Sequence, residues 1–428
     1  MERFFSFLLA LLFGSLFPVQ SEQAAPLLTY SRVELRDEQE QEQNTTQDAF
    51  VRAVWLSQFD MHPIYRDGGR QREETAFRQI AETVCRTLVK DGFNTVFLQL
   101  RPNGDSLYES EVYPLSKYVA GVYGGSVEYD AVAILLETAR RYGLSVHGWI
   151  NPLRLVTPEE MLLLPKGYAV RDWYDAGSGQ VKQVEDRLYL DPSYPEVRAL
   201  IAAGAEEIME KYDLDGIHMD DYFYPTTDES FDRAEFRRSG QADLGDFRRD
   251  NINQMVALLY ETVHAFGEDK LFGISPAGNL YSLAEGYYAD AKTWCAEEGY
   301  IDYILPQLYF GFENAYCPFD RILADWADAV TNPNVQLWVG LDAAKAYLGS
   351  QGELDAFAGT AEGKTEWIRR KDILARSLQP LYEDKRVSGY CFYSYAFLYD
   401  RFTGEVTAEV LSEYEGFSPL LQPSSVTR

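Results

Sequence analysis

The chain has 428 residues, 46% of them apolar and 14% aromatic, enough for a sizeable folded core. A formal net charge of −28 argues against nucleic acid and anionic membrane surfaces as partners, because both require clustered Lys and Arg. The four cysteines (Cys85, Cys295, Cys317 and Cys391) form no C-x-x-C or Cys/His cluster, which argues against a disulfide scaffold and a structural zinc site.

Residues 1–21 read as a secretory signal peptide. Glu2 and Arg3 lead an apolar run over 4–17, and Val19 and Ser21 stand at the −3 and −1 positions of a cleavage site. The run is shorter than the roughly 20 residues of a spanning helix. The mature chain is therefore expected to be exported (periplasmic, cell-surface or extracellular) without stable membrane insertion, an uncleaved anchor being the alternative. Residues 22–48 are polar, rich in Glu and Gln, and predict a disordered linker.

Strand-like apolar runs then fall at 51–57, 95–100, 144–150, 216–220, 271–275, 303–309, 335–341 and 388–395. Helical spacing follows each, at 74–90, 128–142, 195–212, 244–266, 283–298, 320–330, 365–382 and 405–414. Eight alternating pairs predict an α/β chain closed as a single (β/α)8 TIM barrel over 49–416, with a flexible tail at 417–428. Gly92 and Gly143 stand where helix C-caps are expected. An open doubly wound sheet is the alternative, but no G-x-G-x-x-G follows the first strand. No phosphate loop is present, so no cofactor is expected.

Such barrels keep their chemistry at the C-terminal strand ends. Alternation puts Gln99 with Arg101, His147 with Trp149 and Asn151, His218 with Asp220, Gln307 with Tyr309, and Trp338 with Asp342 on one face each. If that face is the interior, a polar, aromatic cup surrounds Asp220. A purely structural hydrogen-bond network is the bland alternative; the concentration of polar residues at one end of the strands favours a site.

Glycoside hydrolysis needs two carboxyl groups flanking the bond. Asp220 and Asp221 are neighbours on one strand and point to opposite faces. Asp220 is therefore expected to work with Asp342, Asp60 or Glu313, and Asp221 either joins the site or holds a loop. Gln99, Asn151, Gln307 and Tyr309 suit hydroxyl recognition, and Trp55, Trp149 and Trp338 suit sugar stacking. Asn103, His147, His218, Tyr222 and Tyr393 complete the expected contacts. Arg101 and Arg154 are basic groups at strand ends of an acidic protein, placed to pair with a substrate carboxylate or to neutralise Asp220. A metal-dependent hydrolase using His147, His218 and Asp220 is a weaker rival. The chain holds four His and no H-E-x-x-H, so no metal is expected.

The ordered motifs R-A-V-W at 52–55, G-F-N-T-V-F-L-Q at 92–99, H-G-W-I-N-P at 147–152, L-D-P at 190–192, D-G-I-H-M-D-D-Y-F-Y-P at 215–225 and P-Q-L-Y at 306–309 resemble the glycosyl-hydrolase-like 10 family of exported (β/α)8 proteins. The resemblance implies a glycosidase acting on a bacterial envelope polysaccharide, namely peptidoglycan glycan strands lacking peptides. It maps the catalytic acid onto Asp220 and Asp221, and makes the substrate carboxylate facing Arg101 and Arg154 a muramic one. A non-catalytic polysaccharide-binding barrel is the rival from another class. The 215–222 stretch is also distantly similar to the D-G-x-D-x-D-x-E strand of chitinases, but His218 replaces an Asp and Tyr222 stands at the acid position. That departure weighs against substrate-assisted chemistry, while Gln307 and Tyr309, standing where chitinases have their sixth-strand polar residues, keep it open.

Overall fold

The computed structural model describes residues 50–220 and 223–421. The expected signal peptide and linker lie outside the described residues, as do Asp221 and Tyr222. Among the described residues no helix is long and apolar enough to cross a membrane.

Eight strands close into a barrel: β1 Val51–Leu56, β2 Thr95–Arg101, β3 Ser145–Ile150, β4 Gly216–Asp220, β5 Leu271–Ser275, β6 Tyr303–Ile304, β7 Gln336–Asp342 and β8 Val387–Tyr393. Every barrel pairing is parallel, and β1 bonds to both β2 and β8, so no open edge remains. The (β/α)8 barrel is what forms, and the doubly wound alternative falls.

Helices cover the outside because their apolar residues recur at helical spacing. In Glu74–Lys90, Phe77, Ile80, Ala81, Val84, Cys85 and Leu88 are buried. The C-cap glycines are as expected, Gly92 at φ +86° and Gly143 at φ +72°. All four cysteines are buried and free.

Four boundaries differ from the sequence reading. The expected 303–309 strand is regular only over Tyr303–Ile304, because Pro306 has no N–H to give the ladder; Gln307 rejoins both neighbours through bridges to Ala277 and Gly340. The 283–298 helix is two short ones, Leu280–Gly286 and Ala291–Trp294. The 365–382 helix is likewise two, Ala361–Arg369 and Ile373–Glu383. The second of these starts where the buried Glu413 carboxylate accepts the N–H groups of Ile373 and Leu374, both at 3.0 Å. The last helix is Leu411–Phe417, and the chain packs beyond it through a 3-10 turn, Ser418–Leu421, with Phe417 and Leu421 buried. The tail placed at 417 therefore does not begin there.

Two apolar cores result from the strand alternation. One lies between strands and helices. The other fills the barrel interior with Ala53, Trp55, Phe97, Trp149, Tyr303, Leu305, Trp338 and Cys391.

Candidate active site

The interior is layered by depth. In the deep layer Tyr303 and Trp338 stack at 3.9 Å, His218 lies parallel to Tyr303, and Phe97 packs on His218 at 4.2 Å. A hydrogen bond fixes the His218 tautomer. Trp55 Nε1–H donates to His218 Nε2 at 3.1 Å, so the neutral ring carries its proton on Nδ1, facing the Tyr303 hydroxyl at 3.1 Å. The same hydroxyl lies 3.1 Å from His147 Nδ1. Burial pushes both histidines down, His147 to about 4, with Asp215 acting weakly the other way.

This network has a pH consequence. Between the ordinary 6.5 and about 4, the unfolded chain binds a proton at His147 and the folded one does not. Stability is therefore full above 6.5 and is lost as pH falls through this window, on the order of 3 kcal/mol for His147. Urea midpoints at pH 7 and 4.5 should differ more for the wild type than for His147→Asn. Equal differences would show that His147 contributes nothing to acid sensitivity.

Above this layer sits Asp220, about 8% exposed. Oδ2 accepts from Asn151 Nδ2 at 2.9 Å and Oδ1 from Gln307 Nε2 at 3.0 Å, an arrangement that suits a carboxylate anion. Asn151 Oδ1 accepts from Gln99 Nε2 at 2.7 Å, and Gln99 Oε1 from the backbone N–H of Gln58 at 2.7 Å. A backbone N–H can only donate, so it sets the polarity of the amide chain and aims N–H groups at Asp220. Nearby, Trp149 Nε1 and Ser275 Oγ are buried without a hydrogen-bond partner among the described residues. Such atoms are expensive to leave unmatched.

Asp342, at the end of β7, is the second buried carboxyl at this level. Burial pushes it up to about 6, against the pull of Lys345, whose backbone N–H donates to Oδ1 at 3.2 Å. Lys345 Nζ is held by Tyr309 O at 2.6 Å and Asp355 at 2.8 Å. Tyr309, which is partly buried, senses both carboxylates; burial first, then Asp342 and Asp220, raise its hydroxyl well above the usual phenol value.

The loop after β4 is tied to helix Leu244–His264 by a buried ion pair. Arg248 Nε and Nη2 donate to both Asp232 oxygens at 2.9 and 2.7 Å. Arg248 also donates to the Thr226 and Asp228 carbonyls, and its guanidinium lies over the Tyr224 and Tyr288 rings.

A model of the family described as Glycosyl hydrolase-like 10 matches residues 50–353. The chain belongs to that family. Glycosyl hydrolase YngK of Bacillus subtilis (strain 168) is 33% identical over 329 residues, 71% of this chain and 62% of that one. Glycosyl hydrolase DigH of Escherichia coli (strain K12) is 32% identical over 280 residues, 58% of this chain and 62% of that one. The chain thus spans less than two thirds of the length of these curated relatives. The PgaB (BpsB) glycoside hydrolase domain from Bordetella bronchiseptica covers 81% of this chain and 95% of its own at a TM-score of 0.53 and 14% identity, a likeness of fold.

In this member of the glycosyl hydrolase-like 10 family, Gln99, Asn151, Asp220, Gln307, Tyr309 and Asp342 meet in the cup, and Trp149 and Tyr393 lie at the same strand ends. Tyr393 packs edge-on to Trp55 at 6.2 Å. Asn103 Nδ2 donates to Gln58 Oε1 at 3.3 Å, extending the polar surface outward.

Several expected contacts fall elsewhere. Trp338 is 1% exposed and its indole N–H donates to Gln336 at the start of β7, so it is part of the floor and does not stack on a sugar. Trp55, His147 and His218 belong to the same floor, and His218 bonds Trp55 and Tyr303 rather than Asp220. Those engaged ring nitrogens, together with the amide-bound Asp220, do not converge as a metal set. Arg101 is turned out of the cup by a bulge between Gln99 and Arg101; it is buried, lies over the Tyr113 ring at 4.8 Å and donates to Asn151 O. Asp60 is spent on Ser57, Ser394 and Ala396, and Glu313 pairs with Arg369 and Arg370 away from the cup.

Sequence reasoning missed two participants, and a third, Gln58, entered it only as the residue to which the first strand leads. Tyr303 shares strand parity with Gln307 and could have been found by that. Gln58 opens the Gln58–Tyr65 helix directly after β1, and Arg187 reaches the site by hairpin geometry, which leaves no local pattern.

Proposed function

We propose that the protein is an exported glycoside hydrolase acting on a bacterial envelope polysaccharide, with peptide-free peptidoglycan glycan strands as its substrate. One observation carries this: an amide-held Asp220 and a buried Asp342, whose carboxyl burial pushes up to about 6, stand at one level of the cup, both sensed by Tyr309. Two carboxyl groups in unlike environments are what glycoside hydrolysis uses. Asp342, rather than the Asp220–Asp221 pair to which the resemblance assigns the acid, protonates the departing glycosidic oxygen, while Asp220 stabilises the cationic sugar or attacks it. Gln99, Asn151 and Gln307 orient sugar hydroxyls. Family membership and the two relatives named glycosyl hydrolase support the reading.

The test is release of new reducing ends from peptide-free glycan strands by the exported protein, with and without a chelator. Release unaffected by the chelator is expected. Glycan binding without release would favour a non-catalytic binding barrel, and release abolished by the chelator would move the chemistry to a metal.

A further inference from the structure

In a chain of net charge −28, two arginines converge on one side of the cup rim. Arg154 follows β3, and Arg187 stands on the Arg187–Leu190 strand of the hairpin formed with Val181–Val184. Arg154 bridges Tyr189 through the backbone. Both guanidiniums act on the Tyr189 hydroxyl, which burial raises and they pull down, while Asp186 and Glu185 at the hairpin turn act in the opposite sense. Arg187 Nη1 donates to Leu155 O at 3.0 Å and approaches Asn103 Oδ1 at 3.5 Å. Asn103 bonds Gln58, the residue whose N–H starts the amide chain to Asp220. The rim arginine is thus joined to the central carboxylate through four residues. Beside it Tyr118, whose hydroxyl burial raises and Lys117, then Arg154, pull down against Asp105 and Glu160, packs edge-on to Phe59 at 6.1 Å, and both rings are partly exposed.

We propose that Arg154 and Arg187 form a subsite for a carboxylate carried by a sugar of the bound glycan, with Tyr118 and Phe59 as the apolar ledge beneath that sugar. The proposal rests on the saccharide-binding reading of the cup and adds its charge selectivity. A strongly negative protein repels an anionic polymer at long range, so recognition of such a chain needs local cations. Guanidinium forks match carboxylate geometry. This role, assigned from sequence to Arg101 and Arg154, passes from the buried Arg101 to Arg187.

The test is binding, measured calorimetrically, of a soluble glycan whose alternate sugars carry a carboxylate and of the same glycan with those carboxylates reduced to alcohols. Cleavage is prevented by using Asp220→Asn. The acidic glycan should bind roughly tenfold or more tightly at low salt. Arg154→Gln with Arg187→Gln should remove that preference by weakening binding of the acidic glycan about tenfold more than binding of the reduced one. Arg187→Lys should restore part of it, and Arg101→Gln should not alter the ratio. Equal binding of the two glycans, binding of neither, or a preference that survives the double substitution overturns the subsite. Preferential binding by a protein that cleaves neither glycan would sink the hydrolase reading and leave the subsite standing.

Discussion

Asp220→Asn should lower kcat/KM on glycan strands by roughly 10³-fold or more, about 4 kcal/mol of transition-state stabilisation, while the fold and glycan binding persist. The substitution keeps shape and one acceptor. Its new NH2, however, faces an amide NH2 of Asn151 or Gln307, each of which now donates to a carboxylate oxygen. Turning Asn151 over would set its NH2 against that of Gln99, whose own orientation the Gln58 N–H holds. The charge is lost and the amides cannot rearrange freely. Asp342→Asn should cost roughly 10²–10⁴-fold and leave a different signature. Burial pushes Asp342 up to about 6, so its acid form is lost above that pH, and wild-type kcat/KM should fall as pH rises through it. The variant should lack that limb. Steady-state rates from pH 4 to 8 decide the matter; a limb that persists in Asp342→Asn would move the acid to another group, with Asp221 the next to replace.

Arg248→Met should destabilise the protein by roughly 3–5 kcal/mol, because it strands the fully buried Asp232 carboxylate. It also removes the donors holding the Thr226 and Asp228 carbonyls, so the loop after β4 loses its anchor beside Asp220. Replacing both partners, as in Arg248→Met with Asp232→Leu, should recover much of the stability but not the loop position, separating the two effects. Urea midpoints measure the first and KM on glycan strands the second. A loss below about 1 kcal/mol in the single variant would mean the pair behaves like a surface salt bridge, contrary to its burial.

Much of this was legible from sequence because strand alternation is local. A two-residue period, once strands are recognised, places Gln99, Asn151, Asp220, Gln307 and Asp342 on one face without knowledge of the fold. Closure follows from counting eight strand–helix pairs, since a closed barrel leaves no edge exposed. Depth is another matter. His147, His218 and Trp338 share parity with the cup residues, yet two residues along a strand shift a side chain by about 6–7 Å, enough to move it from cup to floor. Which of the two it joins depends on how neighbouring strands are staggered.

The remaining differences are also non-local. A single bulge reverses Arg101, and no pattern in 95–101 marks it. Glu413 starts the Ile373–Glu383 helix from forty residues away. Arg187 reaches the site only because its hairpin folds back along Leu153 and Leu155. Local residue order was enough to show which residues alternate inward and that eight strands close. Tertiary structure decided their depth, the bulge and the rim cations, because these depend on register between segments distant in the chain, and register is set by packing rather than by any residue's own preference.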